Sequence, residues 1–229
     1  MDAIDAISIA AVGLLAMALL QGVKDMLPVR RWFHRRFVGA WLTHKARAHP
    51  AHAAHAPRVD TALADLIELA TTGDARALFD LPIEQLCAQA SAAAAQSLDY
   101  PSRHEDLLRC LAASADPRDV EMVLGAPEQE PSEVDATARA ALLDARTRVM
   151  HQVQRSIDAL QISAGYRWKW YMQLAAFGLS YAVTAAAVFA AEDAGTIGER
   201  LMTAVPLGVA GGFVAPVARD FIATWSRRP

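Results

Sequence analysis

The sequence is poor in the residues and motifs on which enzyme and metal chemistry usually depend. Cysteine occurs twice in 229 residues, at Cys87 and Cys110, without a CxxC or Cys/His spacing, which argues against a zinc ribbon or a disulfide framework. The sequence also has no phosphate-binding glycine loop, HExxH pair or GxSxG elbow, the usual marks of nucleotide, metalloprotease and hydrolase sites. We therefore predict that the protein is not an enzyme and has no metal or cofactor, and that both cysteines are buried thiols in a reducing compartment.

Charged side chains are missing from three long stretches, residues 6–23, 170–191 and 201–218. Each is long enough for a helix that crosses a hydrocarbon core of about 30 Å, so the sequence predicts three transmembrane helices. Basic residues follow the first stretch, precede the second and follow the third, and such residues collect on the cytoplasmic side of a membrane. We expect a bacterial-type inner-membrane protein whose N-terminus is outside and whose C-terminus is cytoplasmic. Because no Lys or Arg precedes the first stretch, a retained span is favoured over a cleaved signal peptide.

The abundant residues point to helices. Hydrophobic residues make up 54% of the chain, and alanine, a strong helix former and a weak strand former, supplies much of that excess. The sequence predicts an all-α membrane protein with four segments. These are an N-terminal transmembrane helix (1–28), a basic and aromatic interfacial segment with a His/Pro/Ala linker (29–58), an acidic cytoplasmic helical domain (59–165) and a transmembrane hairpin (166–229).

Basic and aromatic residues alternate directly after the first predicted span and directly before the second. At these positions aromatic rings suit the headgroup level and basic side chains suit anionic lipid, so we predict lipid contact rather than nucleic-acid binding. The predicted lipid-contacting residues are Arg30, Arg31, Trp32, Arg35, Arg36, Trp168, Lys169 and Trp170.

Four histidines, His44, His49, His52 and His55, lie in a segment rich in proline and alanine. On a helix, imidazoles three residues apart approach one another and can bind a transition metal. Two prolines argue against a regular helix here, and no acidic residue or cysteine joins the set. We therefore favour a linker and assign no metal site.

The segment from residue 59 to residue 165 carries eighteen acidic residues and eight arginines, a net charge of −10. Short apolar stripes at helical spacing predict four small helices there. One begins with a capping box of Ser102 and Glu105, and another begins at Asp116 and ends at Gly125. Small helices bury little apolar surface, so we expect them to pack on neighbouring elements, on the transmembrane hairpin or on a protein partner.

A longer helix is predicted from Ser132, with mainly apolar residues recurring every three or four positions, a pattern suited to helix packing. The stripe consists of Leu142, Arg146, Val149, Val153, Ile157, Leu160 and Ala164. We expect it to pack against the four short helices, and a self-associating stalk is the alternative. Gly165 is the expected position of a bend.

The third predicted span is rich in proline and small residues, which are Pro206, Gly208, Gly211, Gly212, Ala215 and Pro216. They suit close packing against another transmembrane helix, and the alternative is that they line a pore. Arg219 and Asp220 follow at the predicted membrane boundary. A snorkelling arginine and a hydrated aspartate are ordinary there, and a role in an ion path is the alternative.

These features favour a non-catalytic anchoring or accessory subunit of a membrane complex. Its expected partners are anionic lipid headgroups, other transmembrane helices of the same or another chain, and a cytoplasmic protein bound by the acidic helical domain. No nucleic acid is expected. The alternative function is a homo-oligomeric ion channel or pore lined by the third predicted span.

Overall fold

The computed structural model describes Ala18, Gly22 and residues 27–48, 56–126 and 136–190, with side chains through residue 186. Within these ranges the chain is all-α and has no strand, as predicted. Seven helices are described: α1 (Val29–Ala48), α2 (Val59–Thr71), α3 (Ala75–Asp80), α4 (Ile83–Asp99), α5 (Glu105–Leu111), α6 (Pro117–Leu124) and α7 (Ala136–Ala190).

The chain divides into two compact units. The first, which we call the helical unit, is Val29–Tyr166 and contains α1 to α6 and the first part of α7. The second unit is formed by residues 1–28 and 167–229, and the structure describes it mainly through α7 from Arg167 onward. The basic helix α1 therefore belongs to the same unit as the acidic helices.

One hydrophobic core joins the elements of the helical unit. α1 packs against α2, α3 and α5, and α2 packs against α3, α4 and α5. Apolar burial drives this packing. The largest fully buried side chains are Phe79, Leu42, Leu66, Leu78, Leu86, Leu107, Leu108, Leu111, Ile157, Leu160, Val38 and Val123.

The ends of α6 agree with the prediction. Asp116 Oδ1 accepts a hydrogen bond from the backbone N–H of Arg118 at 2.8 Å, and Pro117 lies in the first turn. Proline suits this position because the backbone N–H that it lacks has no partner within the helix. The helix ends at Gly125, as expected.

The predicted capping box at Ser102 and Glu105 is wrong. α5 begins at Glu105 itself, preceded by His104, and no side chain caps it. The Glu105 carboxylate accepts a hydrogen bond from Arg109 Nε at 2.7 Å instead. Residues four apart share a helix face, so this ion pair lies along one side of α5.

The stripe of α7 packs as predicted. Val149, Val153, Ile157 and Leu160 are at most 2% exposed and belong to the core of the helical unit, which confirms packing against the shorter helices. α7 is helical from Ala136 to Ala190 and includes Gly165, so the helix is not interrupted there, and the bend expected at this position stays a prediction. One glycine costs a helix only about 1 kcal/mol relative to alanine.

Two of the three predicted spans, residues 6–23 and 201–218, lie outside the described residues apart from Ala18 and Gly22. The remaining one, residues 170–191, falls on the last part of α7. Among the described residues, no helix is both long enough and apolar enough to cross a membrane.

Candidate functional site

Opposite faces of α1 have different surroundings. The inward face is buried in the core through Phe33, His34, Val38 and Leu42. The outward side chains are exposed and mainly basic, and we call them the basic face: Trp32, Arg35, Arg36, His44 and Arg47. Residues three and four apart lie on one side of a helix, so burying the apolar set necessarily turns these five outward.

Two polar side chains fix the rotation of α1 about its axis. His34 Nδ1 donates a hydrogen bond to the carbonyl oxygen of Phe79 at 3.0 Å, and burial lowers the pKa of this imidazole. Lys45 Nζ donates to Ser156 Oγ at 2.8 Å and to Ser114 Oγ at 3.1 Å, and burial lowers the pKa of this amine. α1 is thus bonded to α3, to α7 and to the loop after α5.

Two of the predicted lipid-contacting arginines are engaged within the protein. Arg31 Nε donates to Asp80 Oδ2 at 3.0 Å, and this hydrogen bond raises the pKa of Arg31. Arg30 Nη1 contacts the backbone carbonyl oxygen of Asp80 at 3.5 Å. Both arginines therefore face the end of α3, and Asp80 neutralises one of their two charges.

Trp32, Arg35 and Arg36 are the predicted lipid-contacting residues on α1 that do lie on its outer surface. Trp32 is 66% exposed, and the Arg36 guanidinium lies 5.9 Å from the centre of its ring, within the range of a cation–π contact. Neither Arg35 nor Arg36 pairs with a carboxylate among the described residues. Their charges remain available to an external anion.

The second predicted lipid-contacting cluster lies on α7, where the second unit begins. Lys169 is exposed and Trp168 is half-buried. Large apolar and aromatic side chains continue along the surface of this part of α7: Trp170, Tyr171, Leu174 and Tyr181 are 50%, 52%, 47% and 38% exposed. From residue 170 onward, the described part of α7 therefore has no charged residue and several exposed aromatic rings.

Two clefts flank α7 within the helical unit. The larger, of about 560 Å³, is lined by Asp119, Arg148 and His151 among others. Arg148 Nε and Nη2 donate hydrogen bonds to Asp119 Oδ2 and Oδ1, each at 2.7 Å. This pairing lowers the pKa of Asp119. The smaller cleft, of about 400 Å³, lies between α4 and α7 beside the exposed Leu143. Each cleft thus contains an ion pair, because Arg146 Nη2 in the smaller one donates to Asp99 Oδ1 at 2.8 Å.

Several predicted residues lie outside the described part of the chain. They are the small residues and prolines of the third predicted span, the boundary pair Arg219 and Asp220, and three of the four linker histidines. His44 is described and lies exposed on α1. The described residues contain no group of three or more His, Cys, Asp or Glu side chains that could hold a metal ion.

Both cysteines are buried and carry free thiols. Burial raises the pKa of Cys87 to about 11 and the pKa of Cys110 to about 12. A thiol must ionise to act as a nucleophile. These two therefore behave as core residues, as the sequence predicted.

The sequence did not predict the hydrogen bonds of Lys45 to Ser114 and Ser156. The one available signal is that Lys45 is the only lysine between Lys24 and Lys169, in a segment otherwise rich in arginine. An amine forms hydrogen bonds to two hydroxyl groups in a small space, whereas a guanidinium is larger and planar. The isolated lysine therefore marks a packed contact.

Comparison of this chain with protein-family models, with curated proteins and with solved structures finds no match.

Proposed function

We propose that this protein is a non-catalytic subunit that is anchored in a membrane and presents the helical unit to a protein partner. The anchor consists of the three charge-free stretches, residues 6–23, 170–191 and 201–218. The helical unit remains at the cytoplasmic surface, because the basic residues that border these stretches favour that side.

The exposed side chains of α7 beyond Arg167 carry this proposal. Trp170, Tyr171 and Leu174 are each about half exposed, at 50%, 52% and 47%, in a stretch that contains no charged residue from 170 to 191. Exposed apolar side chains in one patch are uncommon in proteins that meet only water and mark contact with lipid or protein. Arg167 and Lys169 immediately precede them, as is usual where a helix enters a membrane.

Cysteine accessibility tests the anchor. The natural cysteines are buried with raised pKa values, so a water-soluble maleimide should label only an introduced thiol. We expect Leu174→Cys in sealed native vesicles to stay unlabelled from either side until detergent is added. The matched control is Leu143→Cys, on the same helix and 56% exposed, which should be labelled in inside-out vesicles.

Leu174 is 47% exposed in the isolated chain, so protection of the cysteine that replaces it requires a covering layer. Labelling of Leu174→Cys as fast as Leu143→Cys would contradict the membrane anchor. Thr196→Cys tests the orientation, since it should react only from the outer side. Reaction of Thr196→Cys from the cytoplasmic side alone would invert the proposed topology.

The mass of the detergent-solubilised particle separates an accessory subunit from a channel. A particle that contains one or two copies of this chain with another protein agrees with the proposal. A ring of several copies of this chain alone would favour the pore, and Gly212→Leu should then abolish ion conductance.

A further inference from the structure

The outward side of α1 carries three exposed arginines and no acidic residue. Three of the six Lys and Arg residues of this helix, Arg35, Arg36 and Arg47, are exposed on that side, because the other three bond to residues of the helical unit. Its basic face extends from Trp32 to Arg47, which is about 22 Å at a rise of about 1.5 Å per residue. The face is therefore an extended surface with separated positive charges and not a pocket for one small anion.

The rest of the helical unit has the opposite charge. Residues 59–165 carry a net charge of −10, whereas Arg35 and Arg36 have no acidic partner among the described residues. Charges interact strongly only within a Debye length, about 10 Å at 0.1 M salt. The basic face can thus attract an anionic surface locally while the remainder of the unit is repelled by it.

We propose that the basic face of α1 lies against the bilayer and binds the headgroups of anionic phospholipids. Arg35 and Arg36 contact the phosphate groups, and the Trp32 ring lies at the headgroup level. This inference rests on the proposed membrane anchor, and it specifies which surface of the helical unit faces the lipid.

The position of α1 in the chain favours lipid over other anionic partners. Five residues separate the predicted first span from α1, and five extended residues reach at most about 18 Å. The start of α1 is therefore held near the membrane surface whenever the first span is inserted. Leu27, 54% exposed, and Trp32, 66% exposed, lie at this end of the helix, where apolar contact with lipid is closest.

The packing of α1 determines which of its residues can contact the lipid headgroups. Phe33 is 8% exposed and faces the core, and Arg31 is bound to Asp80. The helix therefore meets the membrane through arginines and one tryptophan, and it does not insert an apolar face. Binding of this kind is electrostatic, so it depends on the lipid charge and on salt.

A fluorescent probe on Ala40→Cys tests the inference in the full chain. Ala40 is exposed and lies between Arg36 and His44 along the basic face. The labelled chain is reconstituted into vesicles that contain a headgroup nitroxide lipid, with phosphatidylcholine alone or with added phosphatidylglycerol. We expect quenching only in the vesicles with phosphatidylglycerol, with loss of quenching in high salt. A probe on Gln89→Cys, exposed on α4, is the positional control and should not respond to phosphatidylglycerol.

The variant Arg35→Gln/Arg36→Gln should abolish the quenching. Two basic residues near an anionic surface change a binding constant by about 30-fold, from about 1 kcal/mol each. The matched control Arg103→Gln/Arg118→Gln removes the same charge from exposed positions on the unit outside α1, and it should leave the quenching unchanged. Equal loss in both variants would overturn the inference, because the effect would then follow net charge.

The outcomes separate this inference from the membrane anchor. A chain that floats with vesicles in high salt but shows no quenching at Ala40→Cys retains its anchor and refutes the lipid contact. A chain that does not float in high salt refutes the anchor itself. A probe response to added RNA without a response to phosphatidylglycerol would also refute the lipid contact and assign the face to nucleic acid.

Discussion

His34 Nδ1 lies 3.0 Å from the carbonyl oxygen of Phe79 and donates a hydrogen bond to it. Only 3% of His34 and none of Phe79 is exposed, so this contact joins α1 to α3 inside the core. Burial disfavours the charged imidazole and lowers its pKa below the ordinary value of 6.5.

The pH dependence of stability should therefore change when His34 is replaced. Between the folded-state pKa and 6.5 the unfolded chain binds more protons, so the free energy of unfolding falls as the pH falls through that window. His34→Gln retains a donor for Phe79 but does not titrate, and it should lose this part of the pH dependence. Urea unfolding at neutral and mildly acidic pH measures this pH dependence of the free energy of unfolding. The exposed His151→Gln is the control, and equal pH slopes in all three proteins would contradict the prediction.

Two isoleucines on α7 provide a test of its packing. Ile157 is 2% exposed and lies in the core, whereas Ile162 is 73% exposed. Ile157→Ala should lower the free energy of unfolding by about 3 kcal/mol, because it removes buried methyl groups and leaves a cavity. Ile162→Ala should change it by less than about 0.5 kcal/mol. Similar values in urea unfolding would mean that α7 does not pack through its predicted stripe.

The ion-pair cluster of Arg109 should be asymmetric in its energetics. Arg109 is 4% exposed and donates to Glu105 at 2.7 Å and to Glu121 at 2.6 Å. Replacing both glutamates by alanine strands a buried cation and should cost about 3 kcal/mol. Arg109→Met should cost less, because the carboxylates, 44% and 60% exposed, regain water. Denaturant titration of both variants decides this, and a larger loss for Arg109→Met would disprove it.

The two cysteines should react only after unfolding. With pKa values raised to about 11 for Cys87 and about 12 for Cys110, the thiolate fraction near neutral pH is very small, and burial blocks access. A chromogenic disulfide reagent should detect almost no thiol in the native chain and two per chain in denaturant. Fast reaction of one thiol in the native chain would identify an exposed or activated cysteine.

Much of the helical pattern follows from local residue order. Asp116 and Gly125 mark the ends of α6, and the spacing of Val149, Val153 and Ile157 marks the buried side of α7. In each case the signal lies within one helix, since a cap bonds its own first turn and a stripe repeats with the helical period. The capping box at Ser102 failed because α5 begins only at Glu105, and a serine and a glutamate three residues apart are a weak local preference.

The amino-acid sequence by itself determined that the described chain is all-α, which stripe of α7 is buried and that both cysteines are core residues. The role of α1 depended on tertiary structure. Aromatic and basic residues alternate from Val29 to Trp41, so they occur on every side of the helix and local pattern selects no face. The hydrogen bonds of His34 to Phe79 and of Lys45 to Ser156 determine which face of α1 is turned toward the core. These partners lie 45 and 111 residues away in the chain, and only folding brings them together.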